Sequence, residues 1–431
     1  MSQLENSSIV TSQSKERKHI TLLIDSMSGG GVQRMSLHLA TELVARGHQV
    51  DLFLLKPRGP LLENIPTSIR TFALQPAIWD SLWQRFFSTK NDIPSSLHIR
   101  FFGPCWIGRW IAWLRVMSVW PFKRLDLLSS WLAMISIGIG DYLRSERPTV
   151  VLAGLYHSKV GALLAKQVTK SQTDIVITVR NMISRQTKRH RSVAQLLFPK
   201  ANGIVAISKG VAENLTTDVT IASDRITVIY NPVITAEFES RAQEKPDHPW
   251  MTVDGPPVIL ACGRLVPQKD YPTLLRAFAH LKNDYRLVIL GRGKLELSLK
   301  DLACELGIAS RVSFVDWISN PLAFMSRARL FVLSSAWEGL GNVLIEAMGC
   351  GSPVVSTDCV SGPREILEDG RWGELVAVGD DQALAQAMER ALAQDPDRQA
   401  LRHRASFFSV DRAVNQYEKV LLKKNLMSPT R

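Results

Sequence analysis

Cysteine is scarce in this 431-residue chain. The five cysteines stand at positions 105, 262, 304, 350 and 359, without Cys-x-x-Cys spacing. This scatter argues against a disulfide framework or a cysteine-based zinc site, and it predicts buried thiols in a reducing compartment. The polar segment 1–18 also lacks the apolar stretch of a secretory signal peptide, so we expect a cytoplasmic protein.

Acidic residues are outnumbered by basic ones, 40 to 52, and no low-complexity tract interrupts the chain. The length predicts two domains, each with its own core. The charge is uneven, because residues 1–232 hold 28 Lys and Arg against 15 Asp and Glu. A basic first half predicts an anionic partner. Since no nucleic-acid-binding motif is recognised, we expect an anionic membrane surface or a lipid diphosphate and no nucleic acid.

The most informative stretch is 338–351, which lies between two apolar runs. The pattern predicts a strand, a glycine-bearing loop, a helix and a second strand, as in a parallel α/β unit. Glycines in the loop let the backbone approach a ligand, and the first helical amides, near Asn342, can hold a phosphate. Carboxylates at Glu338 and Glu346 flank that position. A ligand with both hydroxyls and phosphates, such as a nucleotide sugar, fits this arrangement.

A similar turn follows the first predicted strand, 19–25, where Ser-Gly-Gly-Gly at 28–31 precedes a predicted helix at 32–45. The turn is suited to a phosphate. It is not Gly-x-Gly-x-x-Gly, and no acidic residue ends the next strand to hold a ribose, which argues against a dinucleotide. A tight turn without a ligand is the alternative interpretation.

Two further predicted strands, 149–153 and 175–179, end near His157 and at Arg180. Ligand groups in α/β sheets gather at such carboxyl ends, so both side chains are well placed. An alternative interpretation is equally supported: His157 contacts no substrate, and its hydrogen bonds are satisfied within the core or at the surface. Segment 180–191 holds five Lys and Arg plus His190, which predicts either a solvated face or a clamp for an acceptor diphosphate or anionic lipid heads.

Tryptophan is concentrated in residues 75–144, which contain seven of the eleven. Trp106, Trp110 and Trp113 would share one face of a helix. The apolar run 127–140 would extend only about 21 Å as a helix, short of the roughly 30 Å core of a bilayer. We therefore expect an interfacial helix or hairpin rather than a span. The alternative is an insertion whose aromatic residues cover the first domain's own core.

The carboxylate pair carries a family resemblance. Glu338 and Glu346, with seven residues between them and followed by Gly-x-Pro-Val-Val, resemble the signature of the retaining glycosyltransferases of family 4, the glycosyl transferases of group 1. The similarity continues about 70 residues upstream, at Gly-Arg-Leu (263–265) with Lys269, and downstream at Ser-Gly-Pro-Arg-Glu-Ile-Leu (361–367).

The resemblance implies the α/β fold called GT-B, with two Rossmann-like domains facing across a cleft. It places an acceptor-side domain at 1–235, with the tryptophan-rich, membrane-associating insertion at about 75–145. A linker at 236–256 and a nucleotide-sugar-binding domain at 257–405 follow. The C-terminal helix, within 406–431, would cross back to the first domain.

The resemblance also implies residue roles. Arg264 and Lys269 would offset the charge of a leaving diphosphate without an obligatory metal; ordinary surface charges are the alternative. Glu338 would contact the sugar and Glu346 the ribose hydroxyls. Arg180 stands where family members commonly have a histidine, and an arginine cannot act as a base but could hold a phosphate.

The predicted catalytic residues are thus Glu338, Arg264, Lys269 and Arg180. The predicted substrate-binding residues are Gly30, Gly31, His157, Gly263, Ile318, Gly339, Leu340, Gly341, Asn342 and Glu346. No Asp-x-Asp motif of the metal-dependent kind is evident, and no cofactor beyond the donor is expected.

The resulting prediction is a retaining, metal-independent hexosyltransferase at the inner face of the cell membrane. It would move a hexose or N-acetylhexosamine from a UDP-sugar to a lipid-linked glycan in polysaccharide or glycoconjugate synthesis. A nucleotide-sugar epimerase of the same fold and a catalytically silent scaffold are the alternatives. A glycosidase would use a carboxylate dyad too, but the glycine-rich turns and the Arg/Lys pair argue against hydrolysis.

Overall fold

The computed structural model describes residues 17–28, 31–74, 97–102, 127–251, 255–281 and 284–423. Gly30, Cys105 and the predicted tryptophan face at 106–113 lie outside these residues. The described chain folds around two sheets, in which every pair of neighbouring strands is parallel. Parallel neighbours need crossover connections, which helices mostly supply.

The first sheet, within the described residues, has the strand order β4-β3-β2-β1-β5-β6-β7-β8. Its strands are β1 (His19–Ile24), β2 (Gln49–Leu54), β3 (Arg70–Leu74), β4 (Ile99–Phe102), β5 (Val150–Ala153), β6 (Asp174–Val179), β7 (Gly203–Ala206) and β8 (Ile226–Val228). The helices around it are α1 (Gly31–Ala45), α2 (Leu127–Glu146), α3 (Tyr156–Thr169), α4 (Lys188–Leu197) and α5 (Lys209–Asp218). We call this sheet and α1–α5 the first lobe. Its central strands are short runs of aliphatic residues because helices cover both faces.

The second sheet has the order β11-β10-β9-β12-β13-β14. Its strands are β9 (Val258–Cys262), β10 (Arg286–Leu290), β11 (Val312–Val315), β12 (Leu330–Leu333), β13 (Val354–Thr357) and β14 (Glu374–Val376). The accompanying helices are α6 (Phe238–Gln243), α7 (Tyr271–His280), α8 (Glu296–Glu305), α9 (Leu322–Met325), α10 (Asn342–Gly349), α11 (Pro363–Ile366), α12 (Asp381–Ala393) and α13 (Arg398–Ser406). We call this sheet and α6–α13 the second lobe. The strand order is that of a Rossmann fold.

The last helix, α14 (Val410–Leu422), returns to the first lobe. Its apolar face, with Val414 and Tyr417, shares one core with α1. Arg46 at the end of α1 donates to the Glu418 carboxylate at 2.6 Å, which fixes the contact. The predicted GT-B architecture with its returning helix is confirmed.

The predicted membrane-associating insertion, 75–145, contains two elements of the first lobe. Strand β4 pairs with β3 at the sheet edge, and Leu132, Ile135 and Tyr142 on α2 are buried in the lobe's core. The apolar run 127–140 therefore includes core residues. Periodicity alone does not separate such a helix from one at a membrane surface. No helix in the described ranges is long and apolar enough to cross a bilayer.

Two smaller expectations also need correction. The predicted linker, 236–256, contains α6, which is held to the second lobe because Arg241 donates to the Ser319 carbonyl and Ser326 to the Ala242 carbonyl. The prolines and mixed charge of this segment predicted a linker and gave no sign of its six-residue helix. Cys304 is exposed rather than buried.

Candidate active site

In each lobe, the strand order of the sheet reverses at one point, and these two points lie at the same region of the molecule. In the second sheet, the strand order reverses between β9 and β12, so the loops that follow these strands diverge and leave a crevice. The loop after β9 carries Gly263 and Lys269, and the loop after β12 carries Glu338. In the first sheet, the order reverses between β1 and β5, which places the start of α1 and His157 at the corresponding crevice.

An ion pair joins the two loops of the second lobe. The Lys269 ammonium donates to Oε1 of Glu338 at 2.6 Å. Ser335 donates to the same oxygen at 2.7 Å, whereas Oε2 has only a 3.5 Å contact with Gln268. The pair is largely buried, so solvent screens it weakly. Glu338 is thus fixed through one oxygen, and its other oxygen has accepting capacity left for a ligand hydroxyl.

Glu346 lies on α10, beyond the glycine loop, and is half-buried. Burial raises the pKa of its carboxyl, while the positive charges of Arg34, Arg241 and Lys269 oppose that shift. Arg34 comes from α1 of the first lobe. Glu346, Arg34 and Arg241 line a cavity of ≈ 670 Å³ between the lobes. Two arginines, one from each lobe, therefore line this cavity with Glu346 where a polar ligand can enter.

Backbone conformation and close contacts favour glycine in these loops. Gly263 has a φ of 154°, which L side chains rarely adopt, and a Cβ on Gly339 would stand 2.1 Å from the Arg180 carbonyl oxygen. Gly341 has a φ of 91°, in the left-handed region, and caps the start of α10. The loop between the two glutamates is therefore packed directly on the first lobe.

Arg180 belongs to a hydrogen-bond chain between the lobes. Its guanidinium donates to Asn231 at 3.0 Å and to the Met35 sulfur at 3.1 Å. Asn231 in turn donates to Asn342, the first residue of α10, at 3.0 Å. Burial lowers the pKa of Arg180. The structure therefore attaches this arginine to the helix start rather than leaving it open in the cleft.

On the first lobe, His157 contacts Asp25, which follows β1, at 3.3 Å between Nδ1 and Oδ2. Ser158 donates to the other oxygen of the same carboxylate. Gly31 begins α1. The histidine is half-buried at the start of α3 and is oriented by a carboxylate, as a group that meets a substrate would need to be.

Three further predicted residues, Arg264, Ile318 and Leu340, differ in their exposure. Arg264 follows Gly263 at the same strand end, and its side chain is exposed. Ile318 is half-buried beside the cavity lining that begins at Ser319. Leu340 is 2% exposed, so its side chain belongs to the core and only its backbone could meet a ligand.

Sequence reasoning missed several partners of the predicted residues. Asp25, Ser335 and Gln268 hold predicted side chains in place, and Arg34 and Arg241 face Glu346. Gln268 could have been suspected from its position beside Lys269. The arginines gave no local signal because each is far from Glu346 in sequence.

Comparison with known proteins gives a consistent result. Residues 243–406 match the family model described as glycosyl transferases group 1. Residues 30–232 match the one described as glycosyl transferase 4-like domain. The two matches together cover most of both lobes.

Two relatives align over most of their own length. The N-acetylgalactosamine-N,N'-diacetylbacillosaminyl-diphospho-undecaprenol 4-alpha-N-acetylgalactosaminyltransferase of Campylobacter jejuni is 34% identical over 62% of this chain and 70% of that protein. The lipopolysaccharide 1,6-galactosyltransferase of Salmonella typhimurium is 34% identical over 62% of this chain and 72% of that protein. The lipopolysaccharide core biosynthesis glycosyltransferase LpsE of Rhizobium meliloti is 38% identical, but over only 43% of its length.

Solved structures share the fold. The apo lipopolysaccharide outer core galactosyltransferase WaaB superposes with a TM-score of 0.67 at 20% identity, over 93% of this chain and 98% of that one. HepE of Anabaena, in complex with UDP-glucose, gives 0.69 at 19% identity, over 94% and 99%. At these identities the likeness establishes the two-lobed architecture.

Proposed function

This chain belongs to the group 1 glycosyltransferases of the family 4 type, and we propose that it transfers a hexose or N-acetylhexosamine from a UDP-sugar to a lipid-linked glycan, with retention of the anomeric configuration. The observation that carries the proposal is the Lys269–Glu338 pair at the β9 and β12 strand ends, next to Glu346. This arrangement supplies a cation for a diphosphate and two carboxylates for sugar and ribose hydroxyls.

The donor occupies the second-lobe side of the cleft. Lys269 and Arg264 contact the diphosphate, the free oxygen of Glu338 accepts from a hydroxyl of the transferred sugar, and Glu346 accepts from the ribose hydroxyls. The start of α10 faces the phosphates with unpaired amides. HepE, which shares the fold, forms a complex with UDP-glucose, and this supports a UDP-linked donor.

The transfer step follows from the charges. Negative charge grows on the diphosphate as its bond to the sugar breaks, and fixed cations at 264 and 269 stabilise that charge in the transition state. The acceptor hydroxyl attacks the same face of the sugar, and its proton passes to the leaving diphosphate oxygen. No divalent metal is required in this scheme, so EDTA leaves the rate unchanged.

The acceptor enters over the first lobe, where the excess of basic residues lies. The Campylobacter jejuni relative is named for a diphospho-undecaprenol-linked glycan, and the Salmonella typhimurium relative for lipopolysaccharide. These names support a lipid-linked acceptor, and with it a place at the inner face of the cell membrane.

The test is a transfer assay with the full chain. A panel of UDP-hexoses and UDP-N-acetylhexosamines is incubated with bacterial membrane extract, and the lipid fraction is analysed by mass spectrometry and NMR. We expect one added sugar with an α linkage from an α-linked donor. A released, altered sugar without acceptor would instead indicate an epimerase.

Lys269→Ala provides the site control. We expect kcat to fall by about 100-fold or more, as on removal of a group that stabilises transition-state charge. Lys300→Ala is the matched variant, because Lys300 forms an exposed pair with Glu296 on α8. Equal rates for Lys269→Ala and the wild type would contradict the assignment.

A further inference from the structure

A carboxylate of the second lobe is bound by the first lobe. Oε2 of Glu365, on α11, accepts from the backbone N–H of Lys209 at 2.7 Å, and Oε1 accepts from that of Gly210 at 2.9 Å. The Tyr230 hydroxyl donates to Oε2 at 3.1 Å. The two amides are the first of α5 and have no partner within the helix. A negative charge at this position is stabilised by both the amides and the helix dipole.

Contacts within the second lobe hold the backbone around Glu365 in place. Arg404 on α13 donates to the carbonyls of Glu365 and Ile366, at 2.9 and 3.0 Å. Gly362, just before α11, has a φ of 97°, and a Cβ there would lie 1.9 Å from the Leu340 carbonyl oxygen. The helix bearing Glu365 is therefore fixed against the loop that connects the two site glutamates.

The contact continues into that loop. Ser208 precedes α5 and donates to the carbonyl oxygen of Gly339 at 2.6 Å. The Ser361 hydroxyl, from the second lobe, also donates to this oxygen, at 2.8 Å, and lies 2.7 Å from the Ser208 hydroxyl. Gly339 directly follows Glu338. A movement of α5 relative to the second lobe would therefore displace the backbone that carries Glu338.

We propose that Glu365 is a positioning residue for sugar transfer. Its carboxylate fastens α5 to the second lobe and thereby holds Glu338 in place relative to the first-lobe side of the cleft, where the acceptor arrives. The inference rests on the proposed function, because it concerns the same loop. It assigns a role to the Ser-Gly-Pro-Arg-Glu-Ile-Leu motif, which has no part in donor contact in this account.

The test is Glu365→Gln in the full chain. The amide keeps the shape but has one acceptor oxygen, so one of the two helix amides loses its partner. We expect kcat to fall on the order of 10- to 100-fold, the effect of a small misplacement of reacting groups. The dissociation constant for UDP should change by less than about threefold. Glu365 does not contact the donor in this proposal, so the substitution removes no donor-binding interaction. Small-angle scattering with UDP should show a larger radius of gyration than the wild type.

Glu374→Gln is the matched control, because Glu374 pairs with Arg390 within the second lobe. It should keep the wild-type kcat and scattering. Tyr230→Phe removes one donor to Glu365 and no backbone contact, so it serves if Glu365→Gln is poorly folded. It should lower kcat less than Glu365→Gln does, and the double variant should be no slower than Glu365→Gln.

The outcomes separate this inference from the proposed function. Wild-type rates for Glu365→Gln and Tyr230→Phe, with unchanged scattering, would overturn the positioning role while leaving the transferase assignment intact. An equal loss of UDP affinity and kcat would also overturn it, because that result indicates a donor-binding or general structural role. If the wild type transfers no sugar, the proposed function fails, and unchanged scattering of Glu365→Gln then overturns the interlobe contact separately.

Discussion

Glu346 combines a carboxyl of raised pKa with a role that ionisation favours. The carboxylate accepts more strongly from the ribose hydroxyls than the neutral acid does, and burial raises the pKa of this group. As pH falls, protonation therefore begins above the usual range of a glutamate, about 4.3. We expect binding of UDP-glucose, whose diphosphate does not titrate in this range, to weaken on acidification, beginning at a higher pH than an exposed glutamate would give.

Calorimetric titration of UDP-glucose at several pH values checks this dependence. Glu346→Gln should bind more weakly at pH 7, by roughly tenfold for the loss of a charged acceptor, and should show a flatter profile. Glu374→Gln should follow the wild type. A wild-type profile as flat as that of Glu346→Gln would contradict the assigned role.

Lys159 is a second residue whose environment has a measurable consequence. Its ammonium is buried on α3 and donates to the Thr178 carbonyl at 3.3 Å. Burial lowers its pKa to about 7, with the charge of Arg180 adding to the shift and that of Asp25 opposing it. The unfolded chain binds this proton up to about pH 10.4. The cost to folding is therefore full below pH 7 and is relieved as pH rises toward 10.

Lys159→Met should raise the free energy of unfolding at pH 7 by about 1–3 kcal/mol, because it replaces a buried polar group with an apolar one. The gain should shrink at pH 9.5. Chemical denaturation at the two pH values measures both effects, with Lys300→Met as the exposed control. A gain that is the same at both pH values would show that titration of Lys159 does not contribute.

Much of the site was predictable at the residue scale because its motifs are local. Glu338 and Glu346 follow from a glycine turn and carboxylate spacing, and Gly263 and Lys269 follow from the family resemblance. The structure places these residues at one crevice. The interlobe contacts of Arg34 and Arg180 were not predictable. They depend on how the two lobes meet, and no short-range pattern encodes that.

The segment before α11 shows how an element depends on one glycine. Gly362 combines a left-handed φ with a backbone oxygen where a side chain would stand. Gly362→Ala should therefore destabilise the chain by about 2–4 kcal/mol, from backbone strain and steric overlap together.

Gly379→Ala is the matched variant, with a φ of 81° and no atom within 4 Å of the added Cβ. It should cost only the strain, about 1 kcal/mol. Thermal unfolding of the two variants compares them directly. Equal losses would show that the contact with Leu340 is not tight.

Strands and helices with a clear apolar pattern, such as β5 and α1, were predicted within a few residues. Three elements were misjudged for different reasons. Strand β4 is a four-residue edge strand, too short for alternation to be visible. Helix α2 is apolar because it is buried, and α6 is a short helix held by side chains of the second lobe.

At the scale of the whole molecule, the sequence predicts that the tryptophan-rich segment, at about 75–145, associates with a membrane surface. Trp106, Trp110 and Trp113 lie outside the described residues, so the prediction rests on the sequence alone. A deletion through 100–140 would remove β4 and core residues of α2, and it would test folding instead. Substitution of the three tryptophans by serine is the better experiment.

Flotation with anionic liposomes measures the effect. We expect the triple variant to float at least about threefold less than the wild type, given the loss of three interfacial aromatic anchors. Trp317→Ser, at an exposed tryptophan of the second lobe, should behave as the wild type. Equal flotation of the triple variant and the wild type would remove the membrane role of this segment.

The most direct test of the whole account is a crystal structure of the chain with UDP. We predict the diphosphate within hydrogen-bond distance of the Lys269 ammonium and the ribose hydroxyls at the Glu346 carboxylate, with Glu338 beside the terminal phosphate. UDP bound elsewhere, with Lys269 and Glu346 both away from it, would contradict the account.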